Sequence, residues 1–111
     1  MTATLIESIR NIHNCDLSIE IFYNGEDDLS EHNRLALESY KDVKTRDISK
    51  IFDPDFLKIW GFAIKPFALL ASSFRSAMLV DADVTFIESP SELFKSQIYQ
   101  SRGALFFKVF F

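Results

Sequence analysis

The sequence predicts an α/β domain with a mainly parallel sheet and flanking helices. Two observations carry that prediction. Segments with helical spacing of apolar residues alternate with short β-rich runs, the pattern of strands joined by helical crossovers. One run, Ala77-Met78-Leu79-Val80, is apolar without interruption, as expected of a strand covered on both faces. At 111 residues the chain is one domain at most, or part of one.

Each element has a local reason. Thr4-Leu5-Ile6-Glu7 has the form of a capping box, and Leu5, Ile6, Ile9 and Ile12 recur at helical spacing, so a helix is expected over about Leu5 to Asn14. Ser18 to Tyr23 is β-rich between Asp16 and Asn24-Gly25 and reads as a strand. Glu26-Asp27-Asp28 reads as a solvated loop. Ser30 is placed to cap a second helix running to Tyr40, with Ala36, Leu37 and Tyr40 inward, and Val43 to Arg46 is a short strand. Asp53-Pro54-Asp55 marks a turn. A third helix is expected over about Leu57 to Ser73, kinked at Pro66 or restarting with Pro66 in its first turn. After the Ala77–Val80 strand, Val84 to Ile87 reads as extended, Ser91 to Phe94 as a short helix behind Pro90, and Ala104 to Phe107 as a last strand.

Composition excludes several function classes. There are 12 basic and 16 acidic side chains, a net charge of −4, which argues against a protein built to grip a nucleic-acid backbone. The charge is uneven: residues 1–55 carry 12 acidic and 6 basic groups, residues 56–111 carry 4 and 6. Ten of the twelve phenylalanines fall in the second stretch, which ends on Phe110 and Phe111. An apolar run of that kind wants a covering layer, so the expectation is a portion of a larger domain. The single cysteine, Cys15, rules out an internal disulfide and a Cys-based zinc cluster, and next to a helix end it reads as buried rather than reactive. No run approaches the ~20 apolar residues of a spanning helix, and Met1-Thr2-Ala3-Thr4 is not the start of an export signal.

The chemistry is expected where the apolar strand ends. In open α/β sheets ligands bind at the carboxyl ends of strands, and Asp81-Ala82-Asp83 follows Val80 directly. Residues i and i+2 of an extended segment project to the same side, so Asp81 and Asp83 can share one hard divalent cation, Mn²⁺ or Mg²⁺. Such ions are typically held by one or two carboxylates plus substrate phosphates, which makes a diphosphate a natural completion. The spacing alone is not specific: nine aspartates in 111 residues give roughly 0.7 chance occurrences of Asp-x-Asp. The residues leave two readings open, a metal pair or two solvated aspartates at a strand end.

Context narrows them. Trp60-Gly61-Phe62-Ala63-Ile64-Lys65-Pro66-Phe67-Ala68-Leu69-Leu70-Ala71-Ser72-Ser73-Phe74, followed by Met78-Leu79-Val80-Asp81-Ala82-Asp83-Val84, resembles the fungal α-1,3-mannosyltransferase family, glycosyltransferase family 71. Ser89-Pro90, Leu93-Phe94, Tyr99 and Gly103-Ala104-Leu105-Phe106-Phe107 continue the likeness, which spans most of residues 5–107. The resemblance implies a GT-A fold, a Rossmann-like nucleotide-sugar-binding domain, of which residues 1–111 would be a part lacking the first strand and the C-terminal half. It implies Asp81 and Asp83 as metal ligands, with Ala82 close to the nucleotide ribose. It implies GDP-mannose as donor, a mannose-ending glycan as acceptor, retention at the anomeric carbon, and a Golgi luminal location through a membrane anchor outside these residues. Lys65 stands sixteen residues before Asp81, where related GT-A families place a donor-contacting lysine; its other reading is a lysine on a helix surface. No catalytic group beyond the metal motif is assigned.

Other features are plainer. His13 and His32 lack metal-ligand spacing and read as surface or helix-end residues. Ser72-Ser73 has no nucleophile-elbow context, and no Gly-rich phosphate loop is present. Asp81-Ala82-Asp83-Val84-Thr85 also resembles the first motif of haloacid-dehalogenase-like phosphatases, with Asp81 as nucleophile and Asp83 as acid/base. That alternative leaves the Lys65–Phe74 segment unexplained. A third reading is an inactive truncated remnant.

Overall fold

A computed structural model describes residues 2–53, 55, 64–82 and 84–104. The chain forms two compact units: Ser18–Asp81, and a second that joins the stretch up to Leu17 to the stretch from Ala82 onward.

The Ser18–Asp81 unit is a β-α-β arrangement. Strand β1 (Ile19–Tyr23) pairs in parallel with β2 (Val43–Asp47), in the register Ile19↔Val43 through Tyr23↔Asp47. Parallel neighbours need a crossover, and helix α2 (Glu31–Glu38) supplies it. Ser30 caps α2 as its sequence position suggests, its hydroxyl accepting from the Asn33 N–H at 3.3 Å. Leu37 is buried and Tyr40 half-buried, whereas Ala36 lies exposed on the outer face. Thr45 of β2 donates to Glu38 of α2 at 2.6 Å, tying the crossover to the strand it feeds.

The carboxyl ends of both strands are closed by one side chain. Asp47, last in β2, accepts from the Gly25 N–H at 3.0 Å, beyond the end of β1. It also caps the 3₁₀ turn Ile48–Lys50 through the Ser49 N–H at 3.0 Å and hydroxyl at 2.6 Å. Gly25 has φ +77°, a conformation a side chain would strain. Ile48 is fully buried and Ala68 nearly so, with Phe22, Phe52 and Phe67 packed around them. The rings of Phe52 and Phe67 sit 5.1 Å apart. Ala68 and Phe67 come from helix α3 (Ile64–Ala71), so this small core joins α3 to the ends of the strands.

Pro66 is the third residue of α3 as described. Residues 57–63 of the expected third helix lie outside the described residues. The expected Asp53–Asp55 turn is present, the Asp55 N–H donating to the Asp53 carboxylate at 2.9 Å.

Two expected strands are corrected. Residues 77–80 and 84–87 form no ladder. The sheet among the described residues is the two-stranded β1–β2 pair, smaller than the sequence pattern implies. An apolar run specifies a wish for burial, but a strand also needs a neighbour's N–H and C=O groups, and neither segment has one in register among the described residues. Leu79 is left 45% exposed and Ile87 95%. Of the last expected strand, residues 105–107 lie outside the described residues.

In the other unit, helix α1 (Thr2–Glu7) passes into a π-helical stretch, Ser8–Ile12. The expected capping box is not formed at the N-terminus, because Thr4 lies inside α1. Ile6 and Ile9 are buried, but Ile12 is 72% exposed. The i→i+5 turn, seen in the His13 N–H to Ser8 carbonyl bond at 3.0 Å, breaks the i,i+3 alignment that would stack Ile12 on Ile9. Asn14, with φ 48°, reverses the chain, and the buried Cys15 follows. Helices α4 (Ser91–Lys95) and α5 (Gln97–Arg102) stand end to end. The first is the short helix expected after Pro90; the second was not expected. Its signals are Ser96, whose hydroxyl accepts from the Tyr99 N–H, and Gly103 at φ +76°, whose N–H returns to the Tyr99 carbonyl at 2.8 Å. Tyr99 meets Phe94 edge-on at 5.6 Å. No helix among the described residues is long and apolar enough to cross a membrane.

Candidate functional site

Two of the residues singled out in the sequence, sixteen positions apart, meet in the fold. Lys65, second residue of α3 as described, places its Nζ 2.7 Å from Oδ1 of Asp81. Both side chains remain accessible, at 58% and 52% exposure. Asp81 stands in irregular backbone rather than at the end of a ladder strand, and Ala82 is exposed beside it. Asp83 lies outside the described residues. The donor set at Asp81 is therefore a hard, solvent-accessible carboxylate whose charge is balanced by an ammonium group. No cluster of three or more His, Cys, Asp or Glu side chains suited to a metal occurs among the described residues. One or two carboxylates completed by phosphate oxygens is a normal arrangement for Mg²⁺, so Asp81 fits that role as one ligand.

A second constellation, which the sequence did not signal, holds the C-terminal end of the helix that carries Lys65. Glu20, on the inner side of β1, is 5% exposed. Its Oε1 accepts from the Ser72 hydroxyl at 2.8 Å and the Ser73 N–H at 3.0 Å, both just past the C-terminus of α3. Its Oε2 lies 3.4 Å from Arg46 Nη1, and the same Arg46 nitrogen donates to the Ala71 carbonyl. A guanidinium at a helix C-terminus is favoured by the helix dipole and satisfies a carbonyl with no partner in the helix. The Arg46 guanidinium also sits 5.4 Å from the centre of the Phe22 ring. Burial acts to raise the Glu20 pKa, but the bonds from Ser72 and Ser73 and the charge of Arg46 outweigh it and hold the carboxyl below its ordinary 4.5. Ser72 is thus a helix-terminal anchor, in line with the absence of any nucleophile context. An acidic residue between Ile19 and Ile21 was the one available hint of this network.

The same logic holds at the strand ends. Burial pushes the Asp47 carboxyl up, yet the donors of Ser49 and Gly25 and the nearby Lys50 keep it below 3.8. The Thr45 hydroxyl, with Arg34, lowers Glu38 against some desolvation.

The histidine and cysteine readings are met in kind. His13 closes the π-helical stretch, and its Nε2 lies 2.7 Å from the Phe86 carbonyl. A carbonyl only accepts, so Nε2 carries the proton and donates. This contact tethers the segment that follows the Asp81-Ala82-Asp83 motif. Cys15 is 4% exposed and free.

Comparison with known proteins supplies the family. The family described as "Mannosyltransferase putative" matches residues 1–109. "Putative alpha-1,3-mannosyltransferase MNN14" of Candida albicans is 28% identical over 114 residues, covering 94% of this chain and 16% of that protein. "Putative alpha-1,3-mannosyltransferase MNN13" of the same organism is 47% identical over 47 residues, 42% of this chain and 6% of that protein. MNN15, with the same descriptive name, is 44% identical over 48 residues, 43% of this chain and 6% of that protein. The chain thus spans about a sixth, 16%, of the length of the first of these relatives. No solved structure matches the chain. Since the family match runs through nearly every residue, including Lys65 and the Asp81–Asp83 motif, the chain belongs to this mannosyltransferase family, within the glycosyltransferases.

Proposed function

We propose that this chain contributes the donor-binding part of a GT-A glycosyltransferase that moves mannose from GDP-mannose to a mannose-ending glycan, in α-1,3 linkage with retention. The family match and the relatives' names support mannosyl transfer. The single structural observation that supports the site is the Lys65–Asp81 pair, which brings an ammonium and a carboxylate together in the open at the Asp-x-Asp motif. By the same family reading, the working location is the Golgi lumen.

In this reading the bond from the anomeric carbon to the diphosphate oxygen breaks, its electron pair leaving with GDP. The acceptor hydroxyl oxygen bonds to that carbon, and its proton is taken up by the departing diphosphate. Asp81 and Asp83 would hold a divalent cation, Mn²⁺ or Mg²⁺, which would supply Lewis-acid stabilisation to the leaving diphosphate. Ala82, with its small side chain, lets the ribose approach the backbone. Lys65 adds a positive charge that can meet phosphate oxygens once it leaves Asp81. The Glu20–Arg46 network holds the C-terminal end of α3, the helix that carries Lys65.

The test is GDP binding by calorimetry, with and without Mn²⁺, for the wild type and Asp83→Ala. Binding that needs Mn²⁺ and weakens at least tenfold in the variant is expected. Metal-independent binding that ignores the substitution removes the metal role. Hydrolysis of a generic aryl phosphate, abolished by Asp81→Asn, would instead favour phosphatase chemistry.

A further inference from the structure

We infer that Lys65 is a built-in counterion for Asp81 that weakens divalent-cation binding there until a diphosphate is bound. This rests on the metal-and-diphosphate reading above and adds an order of assembly to it.

Lys65 Nζ lies 2.7 Å from Asp81 Oδ1, the distance of a charge-assisted hydrogen bond. The ammonium therefore occupies the lone-pair side of one oxygen that a cation would use and cancels the charge that would attract it. A Mg²⁺-sized ion would coordinate a carboxylate oxygen at about 2.1 Å. With Lys65 in place, two positive centres would stand only a few ångströms apart. The cation alone must displace the ammonium or bear its repulsion. A diphosphate alone meets one ammonium but also the Asp81 carboxylate. With both ligands present, phosphate oxygens give Lys65 a new anionic partner and Asp81 is released to the cation.

The pair is suited to such an exchange. At 58% and 52% exposure it is a surface ion pair, held weakly and screened by water. Lysine carries a compact charge on a flexible four-carbon stem, so it can change partners without movement of α3. Linkage then requires reciprocity: the factor by which diphosphate tightens the cation equals the factor by which the cation tightens diphosphate.

The experiment is Mn²⁺ titration of the full chain, followed by loss of the free-ion electron paramagnetic resonance signal, with and without GDP. The proteins are the wild type, Lys65→Met, Lys65→Gln, Lys65→Arg and Asp81→Asn. Both neutral variants are expected to bind Mn²⁺ alone roughly 2–5-fold tighter than the wild type, the range over which an exposed ion pair acts. Their coupling factor between Mn²⁺ and GDP should shrink by a similar factor of roughly 2–5, while Lys65→Arg keeps the wild-type factor. If neither neutral variant binds Mn²⁺ alone more tightly, or both keep the full coupling, while Asp81→Asn still weakens Mn²⁺, the counterion role is wrong and the metal reading survives. If Asp81→Asn leaves Mn²⁺ binding unchanged, both are wrong.

Discussion

Removing the Glu20 carboxylate should destabilise the Ser18–Asp81 unit by releasing the C-terminal end of α3. The side chain is 5% exposed and accepts two hydrogen bonds, at 2.8 and 3.0 Å, from residues that terminate α3. Hydrogen bonds to a charged group are worth about 1.5–3 kcal/mol each, but they are not additive when they share an acceptor. The Arg46 contact is longer, at 3.4 Å, and its partner is 35% exposed, so solvent screening discounts it to well under 1 kcal/mol. Glu20→Ala should therefore cost about 2–4 kcal/mol, since it also leaves the Ser72 hydroxyl and Ser73 N–H without their acceptor. Glu20→Gln keeps the shape and one acceptor and should cost about 1–2 kcal/mol. The assay is urea unfolding followed by far-ultraviolet circular dichroism. With slopes of about 1–3 kcal/mol per molar for a small domain, the alanine midpoint should fall by roughly 1 M or more.

The pH dependence supplies an independent arm. Glu20 has a depressed folded pKa, so the unfolded state binds its proton first as pH falls. Its contribution is complete above the ordinary value of 4.5 and is lost as pH drops through the lower folded value. Glu38 and Asp47 shift in the same direction, so stability should be flat above about pH 5 and decline below it. Glu20→Gln should make that acid decline shallower. Both variants within 0.5 kcal/mol of the wild type, with an unchanged acid limb, would refute the idea that this network anchors α3.

Two further substitutions probe separate parts of the fold. Ile48→Ala empties a fully buried position among Phe22, Phe52 and Phe67 and should cost about 2–5 kcal/mol in the same unfolding assay; a cost under 1 kcal/mol would mean the core described around it is not formed. Gly103→Ala puts a side chain at φ +76° with no steric neighbour among the described residues, so backbone strain of about 1 kcal/mol is expected, read as lost helical signal from α5.

Much of the candidate site was legible because its signals are local. The Lys65–Phe74 segment and Asp81-Ala82-Asp83 are contiguous motifs; the apolar run before Asp81 marked the carboxylate pair, and the family resemblance marked Lys65. The capping by Ser30, the Asp53–Asp55 turn and the short helix after Pro90 were legible for the same reason: each depends on side chains reaching backbone a few residues away. The burial of Cys15 followed from its place beside a helix end.

What the sequence by itself determined about this protein is its class, its family and the residues worth watching. Tertiary structure decided which of them touch. Lys65 and Asp81 are sixteen residues apart, and only the turn of the chain after α3 brings their charges to 2.7 Å. Glu20 reaches Ser72 and Ser73 across more than fifty residues, a contact that no window of sequence can contain. The strand expected at 77–80 shows the same limit from the other side. Apolar character is a property of the segment, but a ladder is a property of two segments held in register, and hydrogen-bond partners are supplied by the fold.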